Sequence, residues 1–211
     1  MAENASAGGP ELSRRLRAFE EAFDVLNREF FESALSKSVI TIAPTPGAYG
    51  HFTPWKSWED GDERFCEINL DASTIDRPLA EAMATLLHEM VHQWCWQKGI
   101  KDTSRGSTYH NKNFKHEAER RGLKIAHSKR IGWSVTEPGQ LLLQLIATGA
   151  LDVAAGDLHR LGGTRSDPGD PSARKASSPR KYACPECGMS LRATREVRIM
   201  CMECERQMEK A

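Results

Sequence analysis

Residues His88-Glu89-Met90-Val91-His92 constrain this chain more than any other stretch. They lie within Leu79 to Trp96, where Leu79, Met83, Leu86, Leu87, Met90, Val91 and Trp94 recur at helical spacing. On an α-helix, positions four apart share a face. The spacing predicts a helix with one apolar arc in a core. Its other side, with Glu81, Ala84, Thr85 and Cys95, carries two imidazoles into a cleft. Asp76 and Pro78 supply a start signal.

Two imidazoles one turn apart can share one metal ion. Glu89, one residue round, is placed to act on a water rather than to ligate. This is the H-E-x-x-H pattern of zinc peptidases. The same pattern arises by chance on solvated helix faces, so a third donor is required. Catalytic zinc takes three protein ligands and keeps one position for water. A glycine at 95 with a histidine at 98 would provide that donor, but Cys95 and Lys98 stand there. His110 is the first candidate: it follows the polar loop 97–109 and opens the next helical stretch, which ends near Gly122. Glu117 on that helix and Cys95 on the histidine face follow, in that order; Glu119 is a further carboxylate on the later helix. His116 and His127 read as surface or packing residues, and His51 has no assigned role. Tyr109 and His116 are the residues considered for steadying an oxyanion.

The C-terminal segment carries a second metal signal. Cys184-Pro185-Glu186-Cys187 and Cys201-Met202-Glu203-Cys204 are two C-x-x-C knuckles with a hairpin-length spacer. Four thiolates at this spacing predict a closed, structural zinc ribbon. So short a segment cannot bury a core of its own, so the metal supplies its folding energy. A redox pair is the weaker alternative.

Upstream, Leu12, Leu16, Phe19, Phe23, Leu26 and Phe30 predict an amphipathic core helix over 11–35. Strands are expected over 38–43, within 49–58 and over 65–70, forming a small antiparallel sheet. Trp55 and Trp58 within it read as half-buried packing, with a substrate groove as the alternative. A short extended pair is expected over 123–135 and a helix over 138–150. The fold class is α+β.

Three segments follow: a metal-binding domain over 11–155, a flexible basic linker over 156–181, and the ribbon over 182–211. Between Arg160 and Lys181 six basic residues face two acidic ones. That run, with Arg192, Arg195 and Arg198 in the ribbon, offers phosphate contacts to DNA.

Composition narrows the classes. The chain of 211 residues is 27% charged and 39% hydrophobic, with formal net charge zero. A disordered chain and a uniformly basic nucleic-acid binder are both excluded. No run of about 18 apolar residues is present, so no membrane partner is expected. Met1 to Pro10 lacks the apolar stretch of a secretory signal, which places the protein in the cytosol. Six cysteines in a reducing compartment suggest metal ligands over disulfides.

Together, His88-Glu89-Met90-Val91-His92 and His110-x-x-x-Phe114 resemble the SprT-like (Spartan-type) metallopeptidases. The helix ending Phe30-Phe31, the stretch Tyr49-Gly50-His51-Phe52 and the strand Ile68-Asn69-Leu70 look like the same family's N-terminal half. The resemblance covers roughly residues 12–125, and a zinc ribbon is a common companion. It implies a zincin-like metallopeptidase domain with His88, His92 and His110 as zinc ligands and Glu89 as the catalytic residue. Tyr109-His110-Asn111 departs from the family motif, which often has glycine beside the third histidine. The expected cofactors are one catalytic and one structural Zn2+. The expected function is endopeptidase action, with DNA-bound or DNA-crosslinked proteins as the substrate class the family suggests. The competing reading is a non-catalytic zinc protein serving as a DNA- or transcription-associated binding module. A fourth protein ligand closing the histidine site would favour it.

Overall fold

The computed structural model describes residues 12–151, 159–160 and 180–211. The chain divides into two compact units, 1–162 and 163–211. Most of the expected linker lies outside the described residues.

In the first unit, helix α1 (Leu12–Phe31) buries Phe19, Phe23, Leu26 and Phe31. It stops earlier than the periodicity suggests because Glu32 and Ser33 take left-handed backbone, with φ of 56° and 58°. The Asn27 side chain then clamps both the N–H and the C=O of Leu35 at 3.1 Å.

Strands β1 (Ser38–Ala43), β2 (Gly50–Asp60) and β3 (Glu63–Asp71) form a sheet of order β1-β3-β2. The β2–β3 pair is an antiparallel hairpin, but β1 runs parallel to β3, so the sheet is mixed rather than wholly antiparallel. Alternation of apolar and polar residues fixes which face is buried but not which neighbour a strand pairs with, or in which direction. Trp55 and Trp58 correct a second expectation. Trp55 lies within the irregularity between Thr53 and Trp58 of β2, Trp58 ends it, and the two are 69% and 44% exposed.

Helix α2 (Leu79–Gln97) runs through the core. Its start is Pro78 without a side-chain cap; the Asp76 carboxylate instead meets His159 Nδ1 at 3.0 Å. The two-faced expectation also needs revision. Ala84, Thr85 and Cys95 on the histidine side are buried as well as the apolar arc. Both sides are covered because α2 packs against β2 and β3, α3 (Lys112–Glu119), and a second sheet.

That sheet comprises β4 (Thr103–Ser104), β5 (Tyr109–His110), β6 (Leu123–Ser128) and β7 (Gly132–Pro138), in order β4-β5-β7-β6. The loop 97–109 thus contains a small hairpin that turns through Arg105, Gly106 and Ser107, all at positive φ. Helix α4 (Gln140–Ala147) follows, with Leu142 buried. Among the described residues no helix is long and apolar enough to cross a membrane.

The second unit is built from β8 (Arg180–Ala183), β9 (Ser190–Ala193), β10 (Met200–Cys201), β11 (Arg206–Gln207) and β12 (Glu209–Lys210). Its core is minimal: Tyr182, Cys184, Cys201 and Met208.

Candidate active site

His88 and His92 project from consecutive turns of α2, and His110 reaches them from β5. Their Nε2 atoms lie 3.0 Å (92 to 110), 3.2 Å (88 to 110) and 3.2 Å (88 to 92) apart. His110 therefore sits on a strand rather than opening a helix. Asn111 is the N-cap of α3, its Oδ1 accepting from Asn113 N–H at 2.7 Å and Phe114 N–H at 3.2 Å. His110 is held by its own N–H to Ile131 O and by parallel pairing with Gly132.

The outer ring nitrogens fix the tautomers. The Thr136 hydroxyl donates to Ser134 O, so its oxygen accepts from His88 Nδ1–H at 2.7 Å. His92 Nδ1–H donates to Asp102 Oδ2 at 2.5 Å. Both Nε2 atoms must then present lone pairs to the centre. Three imidazole nitrogens this close, with two protons already placed outside, fit a cation between them. A tetrahedral ion with Zn–N bonds of about 2.05 Å sets its ligands about 3.3 Å apart. The fully buried Phe114 ring lies under the cluster, with centroids 4.5 to 4.7 Å from all three imidazoles. Burial and the neighbouring imidazoles hold His88 well below its ordinary range, and burial with His92 brings His110 down to about 4. Both rings are therefore neutral, as ligation requires.

Glu89 lies beside this cluster, not in it. Its carboxylate accepts from the Phe52 N–H of β2. Burial pushes it up to about 7, against the opposing pull of His92 and that hydrogen bond. The strand approaches this closely because residue 50 is glycine. A Cβ there would stand 2.7 Å from Asn69 O and 3.4 Å from Glu89 Cγ.

The structure does not bring the other sequence candidates to the cluster. Glu117 accepts from Trp94 Nε1 at 3.0 Å and Arg121 Nη1 at 2.6 Å, a buried structural network. Cys95 is fully buried, and burial pushes its thiol up to about 12, as befits a small packing residue. The Tyr109 hydroxyl is engaged with His127 Nε2 at 3.1 Å, and His116 is exposed. His51 is exposed, 3.4 Å from Thr45 Oγ1. Sequence reasoning missed Asp102 and Thr136, which orient the histidines. Among the described residues the histidine cluster gains no fourth protein ligand.

In the second unit, ligand atoms of Cys184, Cys187, Cys201 and Cys204 lie within 4.8 Å of one another, with the Cys187 and Cys201 sulfurs 3.7 Å apart. Tetrahedral Zn–S bonds of about 2.3 Å set sulfurs about 3.8 Å apart. Backbone N–H groups of Cys187 and Glu186 bring the Cys184 thiol down to about 7, while the Cys187, Cys201 and Cys184 sulfurs push Cys204 up to about 12. Four thiolates coexist here only around a cation. Four sulfurs around one point make a structural zinc site, distinct from the three-histidine cluster.

An HExxH helix with a third histidine converging from a separate strand, beside a four-cysteine cluster in the second unit, defines a zinc-dependent metalloendopeptidase with one catalytic and one structural zinc site. Within that class, the SprT-like family matches residues 19–130, just over half the chain, and the chain belongs to that family. No curated protein and no solved structure matches the chain.

Proposed function

We propose that Glu89 is the general base of peptide-bond hydrolysis and that the natural substrates are proteins bound or crosslinked to DNA. The observation that carries the catalytic part is the convergence of three Nε2 atoms with the Glu89 carboxylate alongside. When bound, zinc supplies Lewis acidity to the scissile carbonyl and makes water a better nucleophile. The Glu89 carboxylate takes the proton from that water and delivers it to the leaving amine. Its elevated pKa suits both halves of that transfer. Asp102 and Thr136 keep the ligand nitrogens aimed inward. An extended polypeptide can lie along β2, which among the described residues is an edge strand of its sheet, on the Glu89 side.

The DNA part is supported by the family, by the basic residues between Arg160 and Lys181, and by Arg192, Arg195 and Arg198 in the ribbon. A cytosolic location belongs to the same proposal.

The experiment is cleavage of a DNA-crosslinked protein and of the free protein, with and without chelator, by the full chain and by Glu89→Gln. Chelator-sensitive cleavage should be faster on the crosslinked form. Glu89→Gln should retain both zinc ions and lose on the order of 10²–10⁴-fold in rate. Undiminished cleavage by that variant rules out the role of Glu89. Equal rates on the two substrates rule out the DNA preference.

A further inference from the structure

Helix α2 carries an aromatic side chain on the same stripe as its catalytic residues. At about 100° per residue, Trp96 falls between Glu89 and His92 around the helix axis, one turn beyond His92. Glu89 on that stripe is buried and His92 half-buried, but Trp96 is 43% exposed. Phe52 meets it from β2, the ring centroids 6.1 Å apart and edge to face. Phe52 is also the residue whose N–H reaches the Glu89 carboxylate. An aromatic ledge therefore begins at the catalytic carboxylate and ends at Trp96.

The other end of the stripe has different chemistry. Thr85, one turn before Glu89, is buried; its Oγ1 donates to Glu81 O at 3.2 Å and accepts from Arg77 Nη2 at 2.7 Å. The Arg77 guanidinium lies 3.9 Å from the Tyr49 ring centroid and 3.8 Å from Glu81 Oε2. There a paired cation covers the aromatic ring, whereas Trp96 meets another ring.

The two ends also have a direction. A Cβ on Gly50 would stand 3.2 Å from Thr85 Cγ2 and 3.4 Å from Glu89 Cγ, while Phe52 reaches Glu89 and Trp96, so β2 runs in the same sense as α2. A substrate strand paired antiparallel to β2 runs the opposite way. Its part N-terminal to the bond being cut then lies toward Trp96. A helical turn is about 5.4 Å long and an extended chain advances about 3.4 Å per residue, which puts the ledge about one or two residues from that bond.

We propose that Phe52 and Trp96 form a subsite for a large apolar side chain, aromatic or aliphatic, in the two substrate residues before the cut, and that Trp96 sets this preference. Edge-to-face rings leave apolar surface that such a side chain covers, removing both from water. A charged side chain would lose hydration there without gaining a partner. The subsite deepens the peptidase reading and rests on it, with substrate lying along β2.

The test uses the zinc-loaded full chain and a mixture of unfolded proteins crosslinked to DNA. Every bond cut is mapped by mass spectrometry of the products, with Glu89→Gln as the blank. Phe, Tyr, Trp, Leu and Met should be enriched in the two positions before the cut. Two DNA-linked peptides that differ only there, Phe against Gly, should differ in kcat/KM by at least about tenfold. Trp96→Ala should bring that ratio to within about twofold of one, with zinc content and melting temperature at wild-type values, and Trp96→Phe should keep most of it. The wild-type map is independent of whether either variant folds. Cuts without apolar enrichment, enrichment confined to the positions after the cut, or an unchanged ratio in folded Trp96→Ala each overturn the subsite and leave the peptidase reading intact. Absence of chelator-sensitive cleavage by wild type overturns both.

Discussion

His92 Nδ1 and the Asp102 carboxylate lie 2.5 Å apart, and that contact decides which nitrogen of His92 faces the other two histidines. The loop carrying Asp102 is itself pinned beside His110. Asn111 N–H donates to Asp102 O at 2.9 Å, and Asn111 Nδ2 donates to Lys101 O at 2.7 Å. Asp102→Asn removes the charge behind His92 but keeps the shape. The variant should hold catalytic zinc on the order of 10–100-fold more weakly, with ribbon zinc untouched. Competition with a graded series of chelators reads this directly, and wild-type affinity would show the contact to be incidental.

Gly132 has φ of 73°, and a Cβ there would come within 2.1 Å of His110 O and 2.8 Å of the Tyr109 ring. Gly132→Ala therefore has to displace the strand that carries the third histidine. The left-handed backbone alone costs roughly 1–2 kcal/mol for alanine. The expected protein is less stable and retains one zinc per chain instead of two, as measured by thermal melting and metal analysis.

Asp71 predicts an acid dependence of stability from a residue outside the histidine cluster. Its buried carboxylate accepts from Thr45 N–H at 2.7 Å, Thr74 Oγ1 at 3.1 Å and the Ser73 hydroxyl. Burial is the largest single influence and raises its pKa, but the hydrogen bonds together outweigh it, so the group lies below its ordinary 3.8. A lowered folded-state pKa gives stability that is fully present above the unfolded value and lost as pH falls through the folded one. Asp71→Asn should therefore be less stable than wild type at pH 7, by about 1–3 kcal/mol, and the gap should narrow below about pH 4. A gap that widens on acidification would reverse the sign of the argument.

Cys201→Ser tests whether metal folds the second unit. The core left behind is Tyr182, Cys184 and Met208, too little to order this segment. Limited proteolysis should then cut freely within 180–211, and zinc content should fall by one per chain. Resistance equal to wild type would mean the ribbon folds without its ion.

The elements that announced themselves in the sequence are those whose geometry repeats. His88 and His92 are fixed by one helical turn, and the cysteine knuckles by their own spacing. His110 was within reach because a third donor was required and this histidine follows the helix after a polar loop. Asp102 and Thr136 carry no such mark. One sits in a polar loop and the other in a hairpin far along the chain, and only the tertiary fold brings them behind the histidines. The parallel pairing of Ser38–Ala43 with β3 was equally illegible, since alternation is blind to strand direction. Trp55 and Trp58 misled for a different reason: large aromatic side chains favour burial on average, and these two lie within and at the end of the irregularity in β2.

Phe114 seals the cluster from below, its ring against all three imidazoles. The ring closes that side among the described residues, so an incoming polypeptide and a departing ion both have to pass where it leaves the imidazoles uncovered. A peptide lodged there should slow the escape of zinc, and stripping the metal should be easiest when the enzyme is idle.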